Sequence, residues 1–311
     1  MSRFEKQSAR TSVPIYLGLG RSGFGPRLSL SYDSGAGNGP FGFGWNLSLL
    51  SFMRKTDKGL PIYQDDDESG TFILSSAQEL GPVLIRLDGQ WQCDMIKRKL
   101  NGVDYCIQRY RPRVKGLFER IERWTNLRIH EIHWQSISRD NIITMYGKTA
   151  ESRIADPHNP QRVFSWLICG SHDDNGDAIL YEYKAENSQG IDFSLVRERN
   201  LTDATRATNR YLKRIKYGNK TPYKLGEDLT ASNDWKFEVI FDYGEHYSVD
   251  NQSQPTTVFL KNDQRHWKVR LDPFSSYRAG FEIRNDHLAR RVLFLSFSRI
   301  EVLSFVDYDC Q

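Results

Sequence analysis

From Arg27 to Tyr32 the chain alternates: Leu28, Leu30 and Tyr32 fall on one side, Ser29 and Ser31 on the other. A period of two belongs to a strand with one covered face and one wet face. Trp45 to Leu49 is a second short run of this kind. Three glycine-rich stretches bracket the pair: Gly18 to Gly25, Gly35 to Gly39 and Gly42 to Gly44. Glycine at that density supplies left-handed backbone and close approach, so the block predicts strand, tight turn, strand. The residues expected to build the turns are Gly20, Gly23, Gly25 and Pro26 for the first, Gly35, Gly37, Gly39 and Pro40 for the second, and Gly42, Gly44 and Trp45 for the third.

The same style continues along the chain. Ser12 to Leu19 predicts a short strand interrupted by Pro14, and strands are expected at Thr71 to Leu74 and Val83 to Leu87, the latter ended by an Asp88-Gly89 hairpin signal. Phe118 to Thr125 and Arg128 to Trp134 follow, then Phe164 to Cys169 and Ile179 to Tyr183, joined through Asn175-Gly176, then Tyr211 to Gly218 and Phe237 to Gly244. Short strands separated by turn signals predict an all-β fold of extended antiparallel sheets with glycine-rich turns and little helix.

Composition narrows the class. The 311 residues are 39% hydrophobic and 26% charged, ordinary for a globular protein, and 13% aromatic, which suits pleated sheet. A net charge of +4 without a basic block gives no case for a nucleic-acid partner. The opening MSRFEKQSAR has no apolar run, so no secretory signal peptide is expected, and no apolar stretch approaches the ~18 residues of a spanning helix. Cys93, Cys106, Cys169 and Cys310 are scattered without a CxxC pair and read as reduced thiols.

Candidate chemistry mostly fails for want of context. Gly18 to Gly23 satisfies GxGxxG, but Pro26 and a strand-period run follow where a phosphate-binding helix should start. Ser171 to Glu182 approximates a calcium loop through Asp173, Asn175 and Asp177; its first position is serine and strands flank it, so a hairpin turn is expected. His130 and His133 lack the i, i+4 helical spacing of a zincin. The acidic run Asp65 to Glu68 reads as a solvated loop, and no GxSxG elbow occurs. Sequons at Asn46, Asn200, Asn219 and Asn251 read as chance without a signal peptide.

The segments SVPI, GRSGFGP, LSLSYDSGAGNGPFGFGW and RKTDKGLP, between Ser12 and Pro61, resemble the N-terminal domain of SpvB-type virulence-plasmid B proteins, a domain shared by the B components of insecticidal Tc toxins. FERIERWTN, the block from Arg153 to Asp192, SSYRAGFEIR and RRVL resemble the same family, and YEYKAEN is similar to the tyrosine repeats of RHS proteins. The resemblance implies one SpvB-like β domain over 12–297, between a disordered tail at 1–11 and a divergent one at 298–311. It implies a truncated or separately encoded front segment, poorly soluble alone. Some relatives carry an ADP-ribosyltransferase domain with a Glu-x-Glu pair; no two glutamates here are spaced so, and no enzyme activity, catalytic residue, cofactor or metal is expected. The implied role is structural: part of a hollow β-shell that encloses a toxic enzyme. The implied partners are other toxin-complex subunits, an RHS-type C component and a pore-forming A component, with no membrane insertion by this segment. Release by a non-classical route, after residence in the cytoplasm, is the expected localisation. The alternatives are a decayed fragment, or an independent glycan-binding module using Trp91, Trp124, Trp134, Trp235 or Trp267, tryptophans otherwise expected to pack sheet cores.

Overall fold

The computed structural model describes residues 9–64, 72–75, 78–113, 118–199, 201–232, 234–249, 257–259, 266–296 and 299–304. The acidic run at 65–68, Asn200, Asn251 and Cys310 lie outside the described residues.

The glycine block forms β1 (Arg10–Ile15), β2 (Leu28–Asp33), β3 (Asn38–Gly39), β4 (Gly42–Phe43) and β5 (Trp45–Leu47). Then come β6 (Ser51–Arg54), β7 (Phe72–Leu74), β8 (Gln78–Pro82), β9 (Leu84–Leu87), β10 (Gln90–Cys93), β11 (Met95–Leu100), β12 (Val103–Pro112) and β13 (Phe118–Asn126). The middle of the chain supplies β14 (Ile132–Ser138), β15 (Ile143–Tyr146), β16 (Arg153–Asp156), β17 (Asn159–His172) and β18 (Ala178–Ala185). After the one-turn helix α1 (Asp203–Arg206) follow β19 (Arg210–Asn219), β20 (Trp235–Asp242), β21 (Tyr247–Val249) and β22 (Thr257–Phe259). The last four are β23 (Val269–Ser276), β24 (Ile283–His287), β25 (Arg291–Ser296) and β26 (Arg299–Ser304). The fold is all-β, as the alternating runs predict.

Eight strands close on themselves in the order β6-β7-β8-β12-β13-β14-β15-β17, with β17 returning to β6. Closure depends on the 14 residues of β17. Its first half pairs with β6 and β16, its second half with β15 and β18. From β18 the sheet continues open through β19, β20, β25 and β26. One strand therefore serves both a barrel and an open sheet.

Aromatic rings from six different barrel strands meet one another, which only the barrel interior permits. Phe52 stacks on Trp134 at 4.6 Å, Tyr146 meets Phe52 edge-on at 4.8 Å, and Tyr110 meets Trp134 at 5.0 Å. Phe72 lies between Trp134 and Trp166, at 4.9 and 5.8 Å. Such tilted and offset contacts suit the ring quadrupole, so the cluster gains energy beyond its area burial. Arg54 enters this interior, only 3% exposed; its guanidinium lies 4.8 Å from the Tyr63 ring and 5.3 Å from Phe72, and its Nε donates to the Val163 carbonyl at 2.8 Å. Cation–π contact and a main-chain acceptor together offset its desolvation.

The three-stranded sheet β1-β2-β5 packs on the open sheet. Leu28 and Leu30 are buried with Tyr217, Val239 and Phe294, while Ser29 bonds Ser48 and Ser31 bonds the Asn46 carbonyl on the other face. Pro14, which has no N–H to offer a ladder, lies in β1, which among the described residues pairs with β2 alone.

Several boundaries move: β5 ends at Leu47, β17 widens to Asn159–His172, and β20 ends at Asp242, short of Gly244. The first strand runs Arg10–Ile15, so Tyr16 to Leu19 leave the ladder and cross the open sheet. The strand expected at Arg128 starts at Ile132 instead, because residues 126–130 form a tight turn: the Asn126 side chain accepts from the Arg128 amide at 2.9 Å, and His130 has φ +58°. Residues 299–304 pair with β25 along its whole length.

Candidate functional site

The eleven glycine-block turn residues divide by what holds them. Gly23, Gly42 and Gly44 have φ of +78°, +100° and +78°, the left-handed region that disfavours side chains. Gly20 needs to be glycine for space alone, since a Cβ there would lie 2.0 Å from the Phe24 carbonyl oxygen. Gly25 lies against the Tyr217 ring, whose hydroxyl donates to the Gly18 carbonyl at 2.7 Å. Gly35 donates its amide to Asp33 Oδ1, Trp45 packs on Tyr32 at 5.3 Å, and the Pro40 carbonyl accepts from Ala289 N at 2.7 Å. Pro26 is half-buried beside them. Gly37 and Gly39 have room for a Cβ, so neither is required on steric grounds.

Between Gly37 and Gly39 sits a contact that sequence reasoning missed. Asn38 Nδ2 donates to Asp272 at 2.6 Å, Arg270 donates to Asn38 Oδ1 at 2.7 Å, and the same guanidinium donates to the Gly39 carbonyl at 3.0 Å. The Arg270–Asp272 ion pair thus latches the second turn to β23. Asn38 lies inside the glycine-rich stretch Gly35 to Gly39, and nothing local distinguishes a latch.

A buried ion network joins the end of β18 to β19 and β24. The Glu186 carboxylate accepts from the Tyr211 hydroxyl at 2.5 Å, from the amides of Asn187 and Asp286 at 2.9 Å each, and from His287 Nδ1. Beside it Glu198 pairs with Arg206 at 3.1 Å and Arg284 at 2.6 Å, and Arg284 reaches Asp286 at 2.9 Å. Trp267 and Tyr243, 4.3 Å apart and stacked, wall the cluster. Glu186 and His287 side chains are wholly buried, so no substrate reaches this carboxylate–imidazole–phenol group. It cross-links strands. A sequence signal existed in Arg284, Asn285, Asp286 and His287, four successive polar residues inside a strand; all four are buried.

Burial pushes the Asp286 carboxyl up to about 6, with Glu186 and Glu198 adding to the shift and Arg284 opposing it. The folded protein therefore holds a proton that the unfolded chain releases near its ordinary value. Between about pH 4 and 6 the native state binds more protons, so this group makes stability fall as pH rises. Asp286→Asn is expected to raise the melting temperature relative to wild type at pH 7.5, with the gap closing toward pH 4.5. A gap independent of pH in paired melting curves would contradict this.

Other candidates do not assemble. His133 is buried, its ring 5.7 Å from Trp124, and burial with Lys148 and Arg153 lowers its pKa to about 3; His130 lies apart, exposed in its turn. Asp173 turns inward to accept from the amides of Asn175 and Asp177, at 3.0 and 2.8 Å, while Asp177 faces Arg21, so the hairpin reading holds and the calcium ligands diverge. Asp242, Glu245 and His246 do cluster within 4.8 Å. Arg291 holds Asp242 at 2.7 Å and Lys213 pairs with Glu245, so a cation would have to displace two side chains. Cys106 and Cys169 are free thiols. Asn219 is buried and bonded to Ala178 N and the Gly176 carbonyl, out of reach of glycosylation. Trp124, Trp134 and Trp267 are core residues and Trp235 is half-buried, whereas Trp91 is 67% exposed.

Trp91 belongs to a two-stranded arm, β9 and β10, that pairs with no other strand among the described residues. Leu84, Leu87 and Trp91 on the arm, and Met95 and Ile96 beyond it, are all exposed. A ribbon of two strands is marginal alone, and an apolar one is costly to leave in water.

A family profile described as the Salmonella virulence plasmid 65kDa B protein, SpvB, matches residues 5–298. The mono(ADP-ribosyl)transferase SpvB of Salmonella typhimurium strain 14028s is 35% identical over 295 residues, covering 92% of this chain and 47% of that protein. The Salmonella dublin protein of that name matches equally, so the chain spans about half the length of the curated relatives it matches. Among solved structures, the N-terminal domain of effector protein SpvB from Salmonella typhimurium strain LT2 superposes with TM-score 0.80 and 31% identity, covering 95% of this chain and 92% of that one. A TcdB2-TccC3-Cdc42 complex matches with TM-score 0.79 and 30% identity, over 94% of this chain and 13% of that one. A Photorhabdus luminescens Tc holotoxin pore matches with TM-score 0.75 and 30% identity, over 93% of this chain and 13% of its own.

Proposed function

Because the chain belongs to the SpvB family, and is thus a toxin-associated segment, we propose that it is a non-catalytic wall piece of a toxin shell that docks on other toxin-complex subunits. The observation that carries this reading is the exposed apolar arm of β9 and β10. Leucines and a tryptophan held out on a paired ribbon fit a surface that a neighbour covers, and tryptophan is enriched at the centres of such contacts. The outer edge of β26 supports it, since among the described residues β26 pairs with β25 alone and offers a ladder to a strand of a neighbouring shell piece. The part of the relatives matched is the region that superposes on the SpvB N-terminal domain, in keeping with a role without catalysis. An RHS-type partner is the expected neighbour, with a pore-forming component reached through it.

Co-expression with an adjacent RHS-type chain, followed by affinity capture and mass determination, tests the proposal. Capture is expected for the wild type and lost for a Leu87→Ser, Trp91→Ser double variant. The double variant should melt with the wild type, because neither side chain is in the core. Undiminished capture by that variant would remove the arm from the interface, and no capture by either would count against an assembly role.

A further inference from the structure

A groove of about 720 Å³ opens where β12 and β17 of the barrel approach β18 and the turn at 226–230. Its walls carry Tyr105, Tyr181 and Tyr183 with Leu180 and Leu229, and the volume is that of pockets enclosing a small ligand. Four carboxylates, Glu151, Glu182, Glu227 and Asp228, line it against a single cation, Lys148. Glu182 is shared with Lys216 at 2.8 Å, and Asp228 caps its own turn through Thr230. Glu151 is exposed and makes no ion pair among the described residues. The groove thus has tyrosine walls, an acidic balance and three carboxylates, Glu151, Glu227 and Asp228, that form no ion pair among the described residues.

We propose that this groove binds a short extended peptide segment in which lysine or arginine alternates with apolar residues. Tyrosine faces and carboxylates both attract ammonium and guanidinium groups, and the apolar walls take the intervening side chains. The acidic surplus disfavours an acidic segment or an anionic lipid surface. The site does not depend on the shell reading, because the arm lies on other strands and binding is read on the chain alone.

The test is fluorescence anisotropy of the full chain with a labelled hexapeptide alternating lysine and leucine, against the same peptide with glutamate for lysine. Saturable, salt-sensitive binding of the lysine peptide alone is expected. Glu151→Lys should weaken it about tenfold or more, and Lys148→Glu should tighten it severalfold. Both residues are exposed, so both variants should keep the wild-type melting temperature. Equal affinity for the two peptides, no response to Glu151→Lys, or binding of anionic vesicles with no binding of the lysine peptide would each overturn the proposal.

Discussion

Valine at position 147 is expected to remove a large part of the stability of the fold. Gly147 follows β15, has φ +65°, and donates its amide to the Leu167 carbonyl at 2.8 Å. A Cβ there would lie 2.3 Å from Trp166 Cδ1 and 2.8 Å from Trp166 Cβ. Trp166 is fully buried among Phe72 and Trp134 and cannot retreat. Left-handed backbone costs a side chain about 1–2 kcal/mol, overpacking about 1–3 kcal/mol or more, against a total stability of about 5–15 kcal/mol. The glycine block supplies the controls. At Gly44 a Cβ would meet the Tyr32 ring at 2.6 Å and the Asp33 carbonyl at 3.0 Å, whereas at Gly42 the nearest atom is 4.0 Å away. Gly42→Val should therefore show backbone strain alone, Gly44→Val a larger loss, and Gly147→Val the lowest urea midpoint of the three. Equal damage from Gly42→Val and Gly147→Val would show that contact distance does not set the cost.

Trp134→Ala is expected to cost about 3–5 kcal/mol, the range for emptying a buried aromatic site. The ring touches Phe52, Phe72, Tyr110 and Trp166, so its loss opens the middle of the barrel. Trp134→Phe should cost far less than the lost volume implies. Trp134 Nε1 is buried with no acceptor among the described residues, and a buried donor without a partner costs about 1–3 kcal/mol that phenylalanine avoids. Denaturant midpoints and near-ultraviolet circular dichroism of the two variants check this. If phenylalanine proves as damaging as alanine, the unpaired N–H is no burden and ring size alone matters.

Strands were legible where a period of two met a turn signal. Leu28 and Leu30 are buried and Ser29 and Ser31 bond across the other face, as alternation requires. Asp88 and Gly89, with φ of +50° and +82°, make the turn their order predicts. Barrel closure was not legible, because the pairing of Phe52 with Trp166 leaves no mark on either local segment. Nor was the ion network: Glu186 resembles any strand-end glutamate until β24 brings His287 to it. Of the glycine block, sequence could count the turns but could not separate Gly44, crowded by Tyr32 and Asp33, from Gly37, with open space around it. Density of glycine reports that a turn exists, while the need at each position is set by residues elsewhere in the chain.

The shared strand β17 also governs how the chain reaches this state. Its neighbours β16 and β18 adjoin it in sequence, so those pairings form by short searches. The seam with β6 joins Phe52 to Ser165 across 113 positions, and contacts of such long reach are made slowly. Hairpins on both sides can therefore stand while the seam is open, with β6 and the first half of β17 each showing an unpaired edge. During that interval the nascent chain competes for its own strand against every other strand in reach, a contest that rising protein concentration tilts toward intermolecular pairing.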